Sequence, residues 1–196
     1  MDFIGGLVCL DFANTVGPRR SRPGKEAHDH LGEPADLVAW CEQAGTIGGN
    51  RARLLRRRVE RHPAAAAETL ARAITLREAI HAVFAAIADG EDPPGEALAE
   101  VQRAYAEAMA HAALVTTPDG LDWSWAASTG LDSLLWPIAR SAAETALTAD
   151  FGRIRKCPGH EGSCGWLFYD TSKNGQRRWC SMRACGSWEK ARRHQQ

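Results

Sequence analysis

The 196-residue sequence contains no apolar run approaching the roughly 18 residues that a membrane-spanning helix requires. Met1–Leu10 has neither a basic leader region nor a long apolar core, and Asp2 and Asp11 flank its short apolar stretch, so a secretory signal is not expected there. A soluble, cytoplasmic protein with reduced thiols is therefore expected, with no membrane partner. Catalytic signatures are missing too: there is no glycine-rich phosphate loop, nucleophile elbow or His-Glu-x-x-His helix. His28, His30, His62, His81 and His111 have no cysteine or convincing carboxylate set at ligand spacing, although His28 and His30 flank Asp29. The expectation is a protein that is not an enzyme. Net charge is also absent, since 24 Lys plus Arg balance 24 Asp plus Glu.

That balance is a cancellation. Residues 1–150 carry 14 basic against 21 acidic side chains, a net of −7, whereas residues 151–196 carry 10 against 3, a net of +7. The cations of the second part are interleaved with Trp166, Phe168, Tyr169, Trp179 and Trp188. Cations release counterions from phosphates and planar rings stack on bases, so a nucleic acid is the natural partner of such a segment.

The same segment holds Cys157, Cys164, Cys180 and Cys185 in the pattern Cys-x6-Cys-x15-Cys-x4-Cys. Two close pairs separated by a medium loop suit one tetrahedral ion, and four thiolates are the donor set of a closed zinc site. The competing reading, paired disulfides, belongs to oxidising compartments. His160, in the six-residue gap, is an alternative ligand. Cys9 and Cys41 sit in apolar contexts and read as buried free thiols.

Along the chain, residues 2–16 read as a short strand or turn leading into a helix, with Asp11 and Asn14 as a cap or buried hydrogen-bonding pair. Residues 17–32 read as a mobile loop. Helices are expected from Pro34 to Gly45, over Asn50–His62, from Pro63 to Asp89 and from Pro94 to Ala112, the last with Leu98, Val101, Tyr105 and Met109 facing the core. The six arginines of Asn50–His62 read as a solvated face. Residues 113–117 and 121–126 flank Pro118-Asp119-Gly120 and predict a hairpin. Ser128–Ala149 returns to helix, with Leu131, Leu134, Leu135, Ile138, Ala142 and Leu147 on one side and Pro137 as a kink. In the tail, Ile154–Cys157 and residues 166–170 read as strands, Arg177–Trp179 returns the chain, and Cys180–Cys185 opens a final helix. The fold class is α+β: a mostly helical N-terminal domain with a small sheet over residues 1–150, then a treble-clef-like finger over 151–196.

Residues 157–193, with CGWLFYDTSKNGQRRWCSMRACG at 164–186, resemble the CGNR zinc finger, and DFANTV at 11–16 followed by DLVAW at 36–40 resembles the ABATE domain that precedes such fingers in bacterial proteins. The resemblance implies a stress-induced bacterial transcription regulator whose finger binds zinc and DNA and whose first domain senses a ligand or dimerises. Ser187 and Trp188 replace the Asn and Arg of the name-giving tetrapeptide. The metal ligands are then Cys157, Cys164, Cys180 and Cys185, and the DNA contacts Arg177, Arg178, Arg183, Lys190, Arg192 and Arg193. A small-molecule effector would sit among Trp40, Phe84, Trp123, Trp125 and Trp136, and a homodimer is compatible with a single small finger. The alternatives are a finger that docks protein, including its own acidic domain, and a small-molecule binder without DNA affinity.

Overall fold

The computed structural model describes residues 3–19, 27–159 and 163–187. Among the described residues, six helices carry the first part: α1 (Val8–Ala13), α2 (Pro34–Gln43), α3 (Gly49–Arg61), α4 (Pro63–Asp89), α5 (Gly95–Ala110) and α6 (Trp136–Thr148). Three two-stranded antiparallel sheets accompany them: β1 (Val16–Gly17) with β2 (His28–Asp29), β3 (Ala113–Thr117) with β4 (Gly120–Ser124), and β5 (Ile154–Lys156) with β6 (Leu167–Tyr169). The fold is α+β, and among the described residues no helix is long and apolar enough to cross a membrane.

Local chemistry accounts for the main boundaries. At α2, Glu33 and Asp36 form a reciprocal capping box and Pro34 occupies the first turn, where it has no intrahelical N–H to lose. Gly90, at φ 75°, closes α4 in the left-handed conformation that L side chains disfavour. At 27 residues and about 1.5 Å per residue, α4 is a rod about 40 Å long against which the other elements pack. Its Leu76, Ile80, Val83 and Phe84 meet Phe12, Trp40, Leu134 and Ile138 in one apolar cluster.

Three expectations are corrected. Pro137 does not kink a helix; it lies in the first turn of α6, preceded by a separate 3-10 turn at Leu131–Leu134. Leu147 is 82% exposed, because α6 turns Trp136, Ile138, Ala139, Ala142 and Thr145 inward instead. On α5 the buried face is Ala97, Val101, Ala104 and Ala108, while Leu98 is exposed. Small side chains let α5 approach α4 and α6 closely, so the face richest in bulk is not the face that packs.

The apolar cluster does not stop at the end of α6. Ile154 of β5 and Leu167 of β6 belong to it, and the buried Asn14 carboxamide joins the two parts of the chain. Its Nδ2 donates to the Leu167 carbonyl at 2.8 Å and its Oδ1 accepts from the Leu167 N–H at 2.9 Å, so one side chain acts as the neighbouring strand would. Nearby, Asp11 Oδ1 accepts from the Gly5 N–H at 2.7 Å, and burial raises its carboxyl above the ordinary range. The expectation of buried hydrogen-bonding groups at Asp11 and Asn14 holds.

Candidate metal centre

β5 delivers Cys157 and β6 follows Cys164, so the first two cysteines sit in the bend of one hairpin. The Cys157 N–H donates to the Trp166 carbonyl at 2.8 Å and the Gly165 N–H donates to the Cys157 carbonyl at 3.0 Å, which extends the ladder to the sulfurs. The bend requires glycine at residue 159. Its φ is 60°, and a Cβ there would stand 2.4 Å from the Cys164 nitrogen.

Cys180 lies just before, and Cys185 on, a wide helical turn, Met182–Gly186, in which the Cys185 and Gly186 N–H groups both donate to the Ser181 carbonyl at 3.0 Å. Ser181 also caps the turn, its hydroxyl accepting from the Ala184 N–H at 3.2 Å. Residues 177–179, which return the chain, form no strand; the segment is positioned by side chains. Asp170 accepts from the N–H groups of Ser172 at 2.9 Å and Arg177 at 2.8 Å. Arg177 lies over the Phe168 ring, 4.5 Å from its centroid, and its guanidinium donates to the carbonyls of Trp179, Ile4 and Cys180.

The four sulfurs lie within 4.8 Å of one another, and Cys164 to Cys180 and Cys180 to Cys185 are each 3.7 Å apart. A disulfide would bring two sulfurs to about 2.05 Å; all four cysteines are free thiols. A tetrahedral ion with sulfur ligands at about 2.3 Å sets them about 3.8 Å apart, so the donor set fits zinc in both chemistry and spacing. The electrostatics agree. Hydrogen bonds from Cys164, Cys180 and Cys185 pull the Cys157 thiol well below its ordinary value, while the same contacts push Cys164 and Cys180 well above theirs. Cys185 is lowered as well, so two of the four favour the thiolate and two the neutral thiol; crowded thiolates repel, and a divalent cation removes the conflict. Bound there, zinc would act as a structural cross-link among the four cysteines.

The site is braced by the helical part. Arg19 N–H donates to the Cys164 carbonyl at 2.8 Å, and the Trp166 indole donates to the Val16 carbonyl at 2.9 Å. His81 of α4 lies 3.1 Å from the Gly165 carbonyl, and burial depresses its imidazole to about 4, so the neutral ring donates. These bracing roles were not legible in the sequence, because each residue meets its partner across more than 60 residues.

The expected DNA-contacting arginines separate. Arg177 is spent on the carbonyls around Cys180 and therefore belongs to the frame of the site, not to an open face. Arg178 and Arg183 are exposed and, among the described residues, have no acidic partner; Arg178 lies over the Trp179 ring at 5.6 Å. Lys190, Arg192 and Arg193, and likewise His160, lie outside the described residues. A cleft of about 600 Å³ beside the centre is lined by Arg155, Lys156, Gln176, Arg177 and Arg178, with Lys156 paired to Asp89.

The five aromatic residues expected around an effector do not line one cavity. Phe84 and Trp40 are in the core, Trp40 edge-on to Phe12 at 5.0 Å. Trp125 is buried with its indole donating to the Ala108 carbonyl at 2.7 Å, Trp136 stacks on His111, and Trp123 is 37% exposed on the hairpin. Their composition suggested a pocket, but four of them, all except Trp123, are buried in the packing of the helical part.

A helical domain fused through a shared core to a four-cysteine knuckle defines a zinc-finger protein. Residues 6–150 match the ABATE family, described as "Putative stress-induced transcription regulator", and residues 153–196 match the CGNR zinc finger. The chain belongs to the ABATE family. No curated protein matches it.

Proposed function

We propose that the protein is a bacterial, cytoplasmic, zinc-dependent transcription regulator whose finger contacts DNA and whose helical domain senses a ligand or dimerises. One observation carries the reading: Arg178 and Arg183 are exposed on the metal-organised segment with no acidic partner among the described residues, and Arg178 lines a cleft that also holds Arg155. Exposed, unpaired cations held on a rigid frame neutralise phosphates at little ordering cost. Arg177, by this reading, supports DNA contact indirectly, by fixing the backbone from which Arg178 and Cys180 project.

The test is duplex DNA binding followed by fluorescence anisotropy between about 50 and 200 mM salt. Each phosphate contact removed lowers the slope of log affinity against log salt by about 0.9. Arg178→Ala with Arg183→Ala is expected to lower the slope by about 2 while zinc content stays at one ion per chain. An affinity indifferent to salt, or a double variant that binds like wild type, defeats the reading.

A further inference from the structure

α3 leaves a cleft of about 560 Å³ against the segment after β4, lined by Arg51, Leu54, Leu55, Arg58, Arg61 and His62 of one wall and Ala126, Ser128 and Thr129 of the other. Arg51, Leu54, Arg58 and Arg61 recur at three- and four-residue steps, so they share one helix face. Leu55 is buried and forms floor, whereas Leu54 stands at the mouth, 62% exposed between cations. No carboxylate lines the cleft; Glu68 and Asp132 line the neighbouring cavity that also reaches Arg58 and His62, and Asp132 is paired with Arg72.

Two further features make the cleft more than a solvated face. Arg51 is held from behind, donating to the Trp125 carbonyl at 2.6 Å and the Ser133 hydroxyl at 2.8 Å, while its Nε is buried with no partner. His62 ends α3 and immediately precedes α4, so Arg61 and His62 are held at a fixed helix–helix junction beside the cleft. Cations and an apolar floor are complementary to a single kind of small molecule, one with an anionic head and an apolar body.

We infer that this cleft is the binding site for a small amphiphilic organic anion, a carboxylate or sulfonate on an aromatic or acyl body. The head sits at Arg58, Arg61 and His62, and the body lies on Leu54, Leu55 and Ala126. The cleft lies at the N-terminal end of α4, whereas Lys156 of the finger meets Asp89 at its other end, about 40 Å away. A ligand there would reach the finger through the rod and its packing, not by touching DNA. The inference deepens the ligand-sensing role proposed above, yet the cleft stands on its own geometry and binding can be measured without DNA.

The experiment titrates the full chain with naphthalene-2-carboxylate and, separately, with naphthalene-2-methanol, by calorimetry and amide shifts. The expected result is saturable binding of the carboxylate, about tenfold tighter than the neutral alcohol. Leu54→Asp and Arg58→Ala, both exposed positions, each weaken the carboxylate about tenfold with an unchanged melting temperature. Arg53→Ala, outside the cleft, leaves it unaltered. Equal binding of the alcohol, insensitivity to both cleft variants, or a Leu54→Asp effect on oligomeric state in place of ligand binding overturns the inference. Failure of DNA binding in the earlier test leaves this result untouched.

Discussion

In the helical part, Phe12, Leu76, Ile80, Phe84, Leu134 and Ile138 are fully buried in one apolar cluster, whereas the finger's own cluster consists of Cys157, Phe168 and Cys180 with partly buried neighbours. The first region can be held by the hydrophobic effect. The second, at this size, cannot: below about 40 residues a chain seldom buries enough apolar area without a metal or disulfide. What the finger lacks in core it takes from two sources, a sulfur cage and the helical part's side chains. Asn14, Trp166, His81 and Arg177 form that second source, so the finger is assembled onto its neighbour and not merely tethered to it.

The largest break in the comparison is expected at the cage. Cys180→Ser removes the sulfur that lies 3.7 Å from both Cys164 and Cys185, and forfeits metal-binding free energy on the order of 10 kcal/mol. Zinc content should fall well below one ion per chain, and limited proteolysis should cut beyond residue 156 while the helical core resists. Full zinc occupancy with wild-type protease resistance would show that the finger does not depend on the cage.

A smaller effect tests the brace. Asn14→Leu leaves the Leu167 N–H and carbonyl buried and unpaired, a cost of about 3 kcal/mol. If the finger is built onto the helical part, the variant also releases zinc faster to a chelator, although residue 14 touches no ligand. A lower unfolding midpoint with an unchanged release rate would make the two regions independent.

Much of this was legible in the sequence where the signal is local. The α4 pattern, the turn at 118–120 and the four-cysteine spacing each specify structure within a short window, and each appears in place. Long-range partners were not legible. Asn14 reads as a polar residue in an apolar stretch, and nothing in DFANTV shows that its amide completes a sheet 153 residues away. On α5 Val101 was placed in the core correctly, but the alanines beside it, Ala97, Ala104 and Ala108, were missed because alanine carries little bulk in a pattern search, yet close helix approach selects it. The α3 arginines were read as a solvated face; the opposing wall, Ala126, Ser128 and Thr129, comes from another part of the chain and turns that face into a cleft.

The smallest expected effect separates the regions by their response to acid. Arg77, 3% exposed on α4, donates to both oxygens of Asp29 at 2.7 and 2.9 Å and to Glu78 at 2.8 Å, pinning β2 to the rod. Burial alone would raise both carboxyls, but the Arg77 and Arg19 guanidinium groups more than offset it, and both sit below their ordinary range. A carboxyl depressed in the folded state contributes stability that is fully present above its unfolded value and is lost as pH falls through the folded one, so this contribution fades below about pH 4. Asp29 is 37% exposed, so solvent screens the pair and Arg77→Met should cost about 2 kcal/mol at neutral pH. The finger also weakens in acid, by protonation of its thiolates, but that loss is common to wild type and variant and cancels in their difference. Urea unfolding at pH 7, 5 and about 3.5 should therefore show a gap between the two proteins that is constant over the upper interval and narrows over the lower. A gap that stays constant throughout would mean that Arg77 stabilises α4 by packing its stem, and that the acid sensitivity of the molecule resides in the finger.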